Sequence, residues 1–215
     1  MEARKVTRIA VFASGRGSNF QSIYHQIKAG YIPARVVVLI SNKEQAGALT
    51  FAREQGIPAE VVQPEAFPNP EEFGKKLLEI LQHHRVDWIV LAGYLKKIPD
   101  NVVEAYANRI VNIHPALLPA FGGKGMYGMR VHQAVFASGA KVSGVTVHLV
   151  NTEYDAGPIV LQKCVDISDC PSPEAIAEKV LAIEHQLYPQ ALKLLLENPF
   201  SIANNRVMIG TLNND

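Results

Sequence analysis

Short apolar runs alternate with longer amphipathic stretches from the N-terminus onward. Residues 8–13 form a compact apolar run, ended by the polar, glycine-rich Ser14-Gly15-Arg16-Gly17-Ser18-Asn19. Phe20, Ile23, Tyr24 and Ile27 then recur at helical spacing, and Gly30 closes that segment. A buried strand is predicted over 35–40. A helix follows over 43–55, with Leu49, Phe51 and Ala52 inward and Gly56 as its stop. A third strand is expected at 59–62. Phe73, Leu77, Ile80 and Leu81 mark a helix over 70–83. A fourth strand is predicted at 88–91, then a short helix over 99–107 with proline early in it. Strands apolar on both faces, separated by helices, predict a doubly wound, mainly parallel α/β sheet.

The pattern changes after residue 109. An apolar run over 109–113 leads into Pro115 and Pro119, which exclude a helix there. Residues 145–150 alternate, as a half-buried strand should, and 159–165 form a second run reached through Asp155-Ala156-Gly157-Pro158. A tight connection between the two suggests antiparallel pairing. A long helix is expected over 172–196, its inner stripe carrying Ile176, Val180, Ile183, Leu187, Leu192 and Leu195, with Ser172 as a weak cap. Residues 201–209, split by Asn204-Asn205, read as a terminal hairpin. The second half is thus a mixed extension of the parallel sheet. No repeat or linker divides the chain, so 1–215 reads as one domain with halves at about 6–110 and 111–215.

Composition narrows the functional classes. Of 215 residues, 48% are hydrophobic and 19% charged, and the net charge is +1. That is a globular profile with no basic footprint for nucleic acid or membranes. The N-terminus lacks the apolar stretch of a signal peptide or span. The two cysteines, Cys164 and Cys170, fit no metal spacing and suit a reducing cytosol, so a cytoplasmic location is expected. His114, His132 and His148 show no ligand spacing, and no metal is expected.

Three segments carry chemistry. The Gly15–Asn19 loop lies between a strand and a helix, where backbone N–H groups at a helix start can hold an anion. Ser18 and Asn19 are also good N-caps. A third glycine is missing near Phe20, and no Lys-Ser/Thr pair follows, so the loop suits one phosphate better than a pyrophosphate. In Val111-Asn112-Ile113-His114-Pro115, the side chains of Asn112 and His114 share one face of an extended segment. A neutral donor beside a titratable one suits the oxygen of a tetrahedral adduct at a carbonyl or formyl carbon. Asp155, in a loop after a strand, reads most simply as an Asp-Gly-type turn. A carboxylate there could also approach His114 and raise its affinity for a proton.

Taken in order, these segments resemble the folate-dependent glycinamide ribonucleotide formyltransferase family. The resemblance spans about residues 8–189. It rests on the Gly-Arg-Gly-Ser-Asn loop, Leu91-Ala92-Gly93-Tyr94-Leu95-Lys96-Lys97-Ile98, Asn112-Ile113-His114-Pro115-Ala116-Leu117-Leu118-Pro119 and Asp155-Ala156-Gly157-Pro158. It implies formyl transfer from 10-formyltetrahydrofolate, as co-substrate, to the amine of glycinamide ribonucleotide in purine synthesis, with small molecules as the only partners. It implies the ribonucleotide phosphate on Gly17, Ser18 and Asn19, and Glu184 toward the ribose side. Leu95, Lys96, Lys97 and Ile98 would hold the pterin together with Asn112 and the loop of Asn151, Thr152, Glu153, Tyr154 and Asp155. Asn112, His114 and Asp155 would form the catalytic set. Relatives often carry an arginine near Pro70 for the folate tail; here Lys75 or Lys76 could stand in. The loop from Gly122 to Met129 holds four glycines and reads either as a lid or as a surface insertion. Formyltetrahydrofolate hydrolase is the runner-up, disfavoured because no room precedes Arg8 for a regulatory domain. The sequence leaves the oligomeric state open.

Overall fold

The computed structural model describes residues 6–210. The chain forms two compact units, Met1–Val111 and Asn112–Asp215. In the first, strands β1 (Thr7–Phe12), β2 (Ala34–Ser41), β3 (Ala59–Val61) and β4 (Trp88–Leu91) stand in the order β3-β2-β1-β4. The ladders β1–β2, β1–β4 and β2–β3 are all parallel. Helices α1 (Ser18–Lys28), α2 (Gly47–Glu54), α3 (Pro70–His83) and α4 (Asp100–Ala105) connect them. Crossovers between parallel strands are right-handed. The path from β1 to β3 runs one way and the path to β4 runs back past β1, so α1 and α2 cover one face and α3 and α4 the other. The contacts agree, α1 lying on α2 and α3 on α4. Ile9, Ala10, Val11 and Phe12 of the central strand are fully buried. Each large side chain among them contributes about 1.5–3 kcal/mol.

Helix α2 begins four residues later than its periodicity suggests. Residues 43–46 form a turn, with Ala46 N–H bonded to Lys43 O at 3.2 Å. The helix start is packed on the glycine loop, where a Cβ at Gly47 would lie 3.3 Å from Arg16 Cα. Phe51 is half-buried and packs edge-on against Phe20 and Tyr24. Helix α4 is shorter than expected, and Asn108 beyond it takes a left-handed backbone, φ 59°.

The second unit contains β6 (Val142–Leu149), β7 (Ile159–Asp166), β8 (Phe200–Ala203) and β9 (Arg206–Ile209), with β5 (Ile110–His114) leading into it. The order is β5-β6-β7-β9-β8. β6–β7 and β8–β9 are antiparallel, and β7–β9 is parallel. The fold is therefore α/β, with an all-parallel first half and a mixed second half. Asn204 and Asn205 both take φ near +50 to +60°, as a two-residue hairpin turn requires.

Three expectations need correction, and one helix was not expected. β6 is buried from Ser143 to Leu149; α6 (Pro173–Glu197) packs on it, and its polar Thr146 and His148 find internal partners. The β6–β7 connection is not tight but spans residues 150–158. Helix α5 (Met129–Ala137) gives no clear sequence signal, since it buries only Val131, His132 and Val135. The stripe of α6 also differs. Ile183 is half-buried, and Glu184 takes its place among Ile176, Val180, Leu187 and Leu195.

Candidate active site

In the first unit the strand order reverses between β1 and β4. Beyond the C-terminal ends of strands at such a point, open α/β sheets bind ligands. The glycine loop follows β1 there. Gly17 is the N-cap of α1 with φ 81°, and its Cβ, if present, would meet Ala48 Cβ at 2.8 Å. Only glycine suits that conformation and approach. Ser18 and Asn19 do not cap the helix as expected; they are its first residues, and no side chain caps it. The helix start therefore offers backbone N–H groups to an anion.

Ser14 binds the glycine loop to the segment after β4. Its N–H donates to Gly93 O at 3.0 Å, and its Oγ accepts from Leu95 N–H at 2.9 Å. The hydroxyl donates to Asn42 Oδ1 at 2.5 Å. Along that segment Leu95 is exposed and Ile98 is buried. Lys96 pairs with Glu65 at 2.5 Å and Lys97 with Asp100 at 2.9 Å. Lys96 and Lys97 border a cavity of about 930 Å³ with Phe67, Pro70 and Phe73. Lys75 and Lys76 do not line it; they pair with Glu71, Glu72 and Glu79 on their own helix.

In the second unit Asn112, His114 and Asp155 come together around a residue not singled out in the sequence, His148. His114 Nε2 donates to Phe121 O at 2.9 Å. Its Nδ1 lies 3.7 Å from Asp155 Oδ2, which serves as a counter-ion when both ring nitrogens carry protons. Asp155 Oδ2 also accepts from Gly123 N–H at 2.9 Å, and Oδ1 lies 3.7 Å from His148 Nε2. Asn112 Nδ2 is 3.2 Å from His148 Nε2. Phe121 and Asp155 both adopt left-handed backbone, φ 56° and 52°. That conformation is costly for phenylalanine, and such strain clusters at functional sites.

Polar bonds centred on buried Thr146 hold the segment after His114. The Thr146 hydroxyl donates to Ala116 O at 2.7 Å and accepts from Leu118 N–H at 3.0 Å. Gln162, opposite Thr146 on β7, donates to Leu118 O and to Thr146 Oγ1, both at 2.9 Å. Gly157 fixes the far end of the Asp155 loop, because a Cβ there would lie 1.9 Å from Leu149 O. Asn151 Oδ1 accepts from Glu153 N–H at 3.0 Å, while Thr152, Glu153 and Tyr154 are exposed. Glu184 is buried in the apolar stripe of α6, an unusual place for a carboxylate.

Burial lowers the pKa of His132 below the ordinary histidine value, with the charge of His114 adding to the effect. Burial also lowers that of His148, against the opposing pull of Leu149 O and Asp155. Both groups bind protons more weakly folded than unfolded. Stability from their neutral forms is present above the unfolded value, about 6.5, and is lost as pH falls below it. Melting temperature should therefore drop between pH 7.5 and pH 5.5 in a thermal-shift titration. A rise on acidification would contradict this burial account.

Comparison with known proteins shows the family and the fold. Residues 7–192 match the family model described as formyl transferase, and the chain belongs to that family. It is 46% identical over 192 residues to the chloroplastic phosphoribosylglycinamide formyltransferase of Arabidopsis thaliana, covering 88% of this chain and 65% of that one. The chain thus spans just under two thirds of that plant relative. To the phosphoribosylglycinamide formyltransferase of Bacillus subtilis it is 39% identical over 189 residues, covering 88% of this chain and 94% of that one. The crystal structure of glycinamide ribonucleotide transformylase 1 from Symbiobacterium toebii superposes with a TM-score of 0.89 at 39% identity, covering 95% and 94% of the two chains. Among the described residues no helix is long and apolar enough to cross a membrane, and no group of three His, Cys, Asp or Glu side chains could hold a metal ion.

Proposed function

We propose that this chain transfers a formyl group from 10-formyltetrahydrofolate to the primary amine of glycinamide ribonucleotide, a step of purine synthesis. The observation that carries the reading is the cluster of half-buried Asn112 and Asp155 with buried His114, in a chain so similar over nearly the full length of the Bacillus subtilis enzyme. The amine nitrogen bonds to the formyl carbon, and the formyl oxygen becomes anionic. Asn112 and protonated His114 donate to that oxygen. The carbon–nitrogen bond to the folate then breaks, and the proton lost by the amine is returned to the folate nitrogen through His114. Asp155 acts as counter-ion to His114. Donation from His114 Nε2 requires the substrate oxygen to replace Phe121 O, its present acceptor.

Gly17, Ser18 and Asn19 take the ribonucleotide phosphate, and Glu184 serves the ribose side. Leu95, Lys96, Lys97 and Ile98 hold the pterin with Asn112 and the loop of Asn151, Thr152, Glu153, Tyr154 and Asp155. The folate's anionic tail suits the cavity beside Lys96 and Lys97. The first half of a single domain thus serves the phosphate and the second the chemistry. The two free thiols, Cys164 exposed and Cys170 half-buried, favour a reducing, cytoplasmic setting.

An absorbance assay with glycinamide ribonucleotide and a 10-formylfolate donor tests the reading. Deformylated folate should form only when the ribonucleotide is present, and the dephosphorylated substrate should bind far more weakly. Donor consumption without ribonucleotide would favour the hydrolase instead. Equal affinity for both acceptors would remove the phosphate assignment.

A further inference from the structure

His148 has no role in the mechanism above, yet it is 2% exposed and touches two members of the site. A neutral imidazole has one donor nitrogen and one acceptor nitrogen. Nδ1 of His148 lies 2.8 Å from Leu149 O, and a carbonyl can only accept. The proton therefore sits on Nδ1, and Nε2 presents a lone pair. That lone pair faces Asn112 at 3.2 Å, so the amide must turn its NH2 group, and not its oxygen, toward the ring. The reverse amide orientation would set two lone pairs against each other. The same lone pair cannot donate to Asp155, 3.7 Å away, which leaves that carboxylate to His114 and Gly123. Burial keeps the ring neutral and so keeps this arrangement in place.

We propose that His148 is a positioning residue, whose Nε2 lone pair fixes the amide of Asn112 with its NH2 group as the presented donor. One N–H goes to His148, and the second remains for the reacting oxygen. The inference rests on the reading that Asn112 donates to that oxygen. A freely rotating amide would present its oxygen to the developing anion part of the time, which opposes the reaction.

Two measurements test this. In the unsubstituted protein with 15N-labelled histidine, His148 should show a protonated Nδ1 and an unprotonated Nε2 at neutral pH. A protonated Nε2 overturns the proposal, whatever the variants do. Second, His148→Leu and Asn112→Ala are measured singly and together. His148→Leu should lower kcat by at least about tenfold, toward the hundredfold typical of one lost donor, with KM for both substrates unchanged. In the Asn112→Ala background the same change should cost almost nothing more, because two residues acting as one unit are not additive. Fully additive losses would show that His148 acts elsewhere and would end the proposal. If Asn112→Ala alone is as active as the parent, the reading of Asn112 fails instead.

Discussion

Replacing His114 by alanine removes nearly all turnover while the ribonucleotide still binds. In the proposed mechanism the imidazole acts on charge that develops only in the transition state, so its loss should fall on kcat rather than on substrate affinity. The expected loss is about a hundredfold or more, the usual cost of one donor to an oxyanion. Calorimetric titration of the variant with ribonucleotide, beside a turnover assay, checks both halves. The side chain is buried and bonded to Phe121 O, so some stability is lost as well. Full activity in a folded His114→Ala variant would remove the central claim.

Asp155→Asn lowers the rate by a similar factor of about a hundred, with the protein folded and melting near the parent temperature. Asparagine accepts left-handed backbone as readily as aspartate, and its oxygen can still receive the Gly123 N–H. The turn is kept and only the charge is lost. What disappears is the counter-ion 3.7 Å from His114 Nδ1. A purely structural Asp155 would give the opposite outcome, unchanged turnover in the asparagine variant. Parallel kcat and melting measurements separate the two.

The residues most legible in the sequence were those whose pattern had one physical cause. The run Val36-Val37-Val38-Leu39-Ile40 is apolar throughout because β2 is covered on both faces. The pair Asn204-Asn205 marks a turn because both positions need positive φ. The alternation over 145–150 misled for an equally physical reason. Thr146 and His148 are polar because they bond internally to Ala116, Leu118, Asn112 and Leu149, not because they meet water. A period of two cannot distinguish those cases.

The candidate site was legible where a side chain announces its chemistry and hidden where the backbone supplies it. Asn112 and His114 stand out as an amide and an imidazole on one face of a strand. Phe121 O and Gly123 N–H carry no such mark, and they enter through loop geometry alone. Gln162 becomes visible only once the β6–β7 register sets it opposite Thr146. Glu184 had a signal in the spacing of Ile176, Val180, Leu187 and Leu195, which leaves a charged residue where an apolar one belongs.

Ser14 has a consequence for anyone re-engineering the substrates. Two of its hydrogen bonds join the glycine loop to the segment after β4, and a third ties both to Asn42, so they form a single mechanical part. A library that varies residues 94–97 to admit another donor also shifts the loop assigned to the acceptor's phosphate, unless Gly93 O and Leu95 N–H keep their places. A glycine loop grafted from elsewhere must bring its own serine, and must find Asn42 waiting. If the two segments serve the substrates proposed for them, the two preferences can be diversified together but not one at a time.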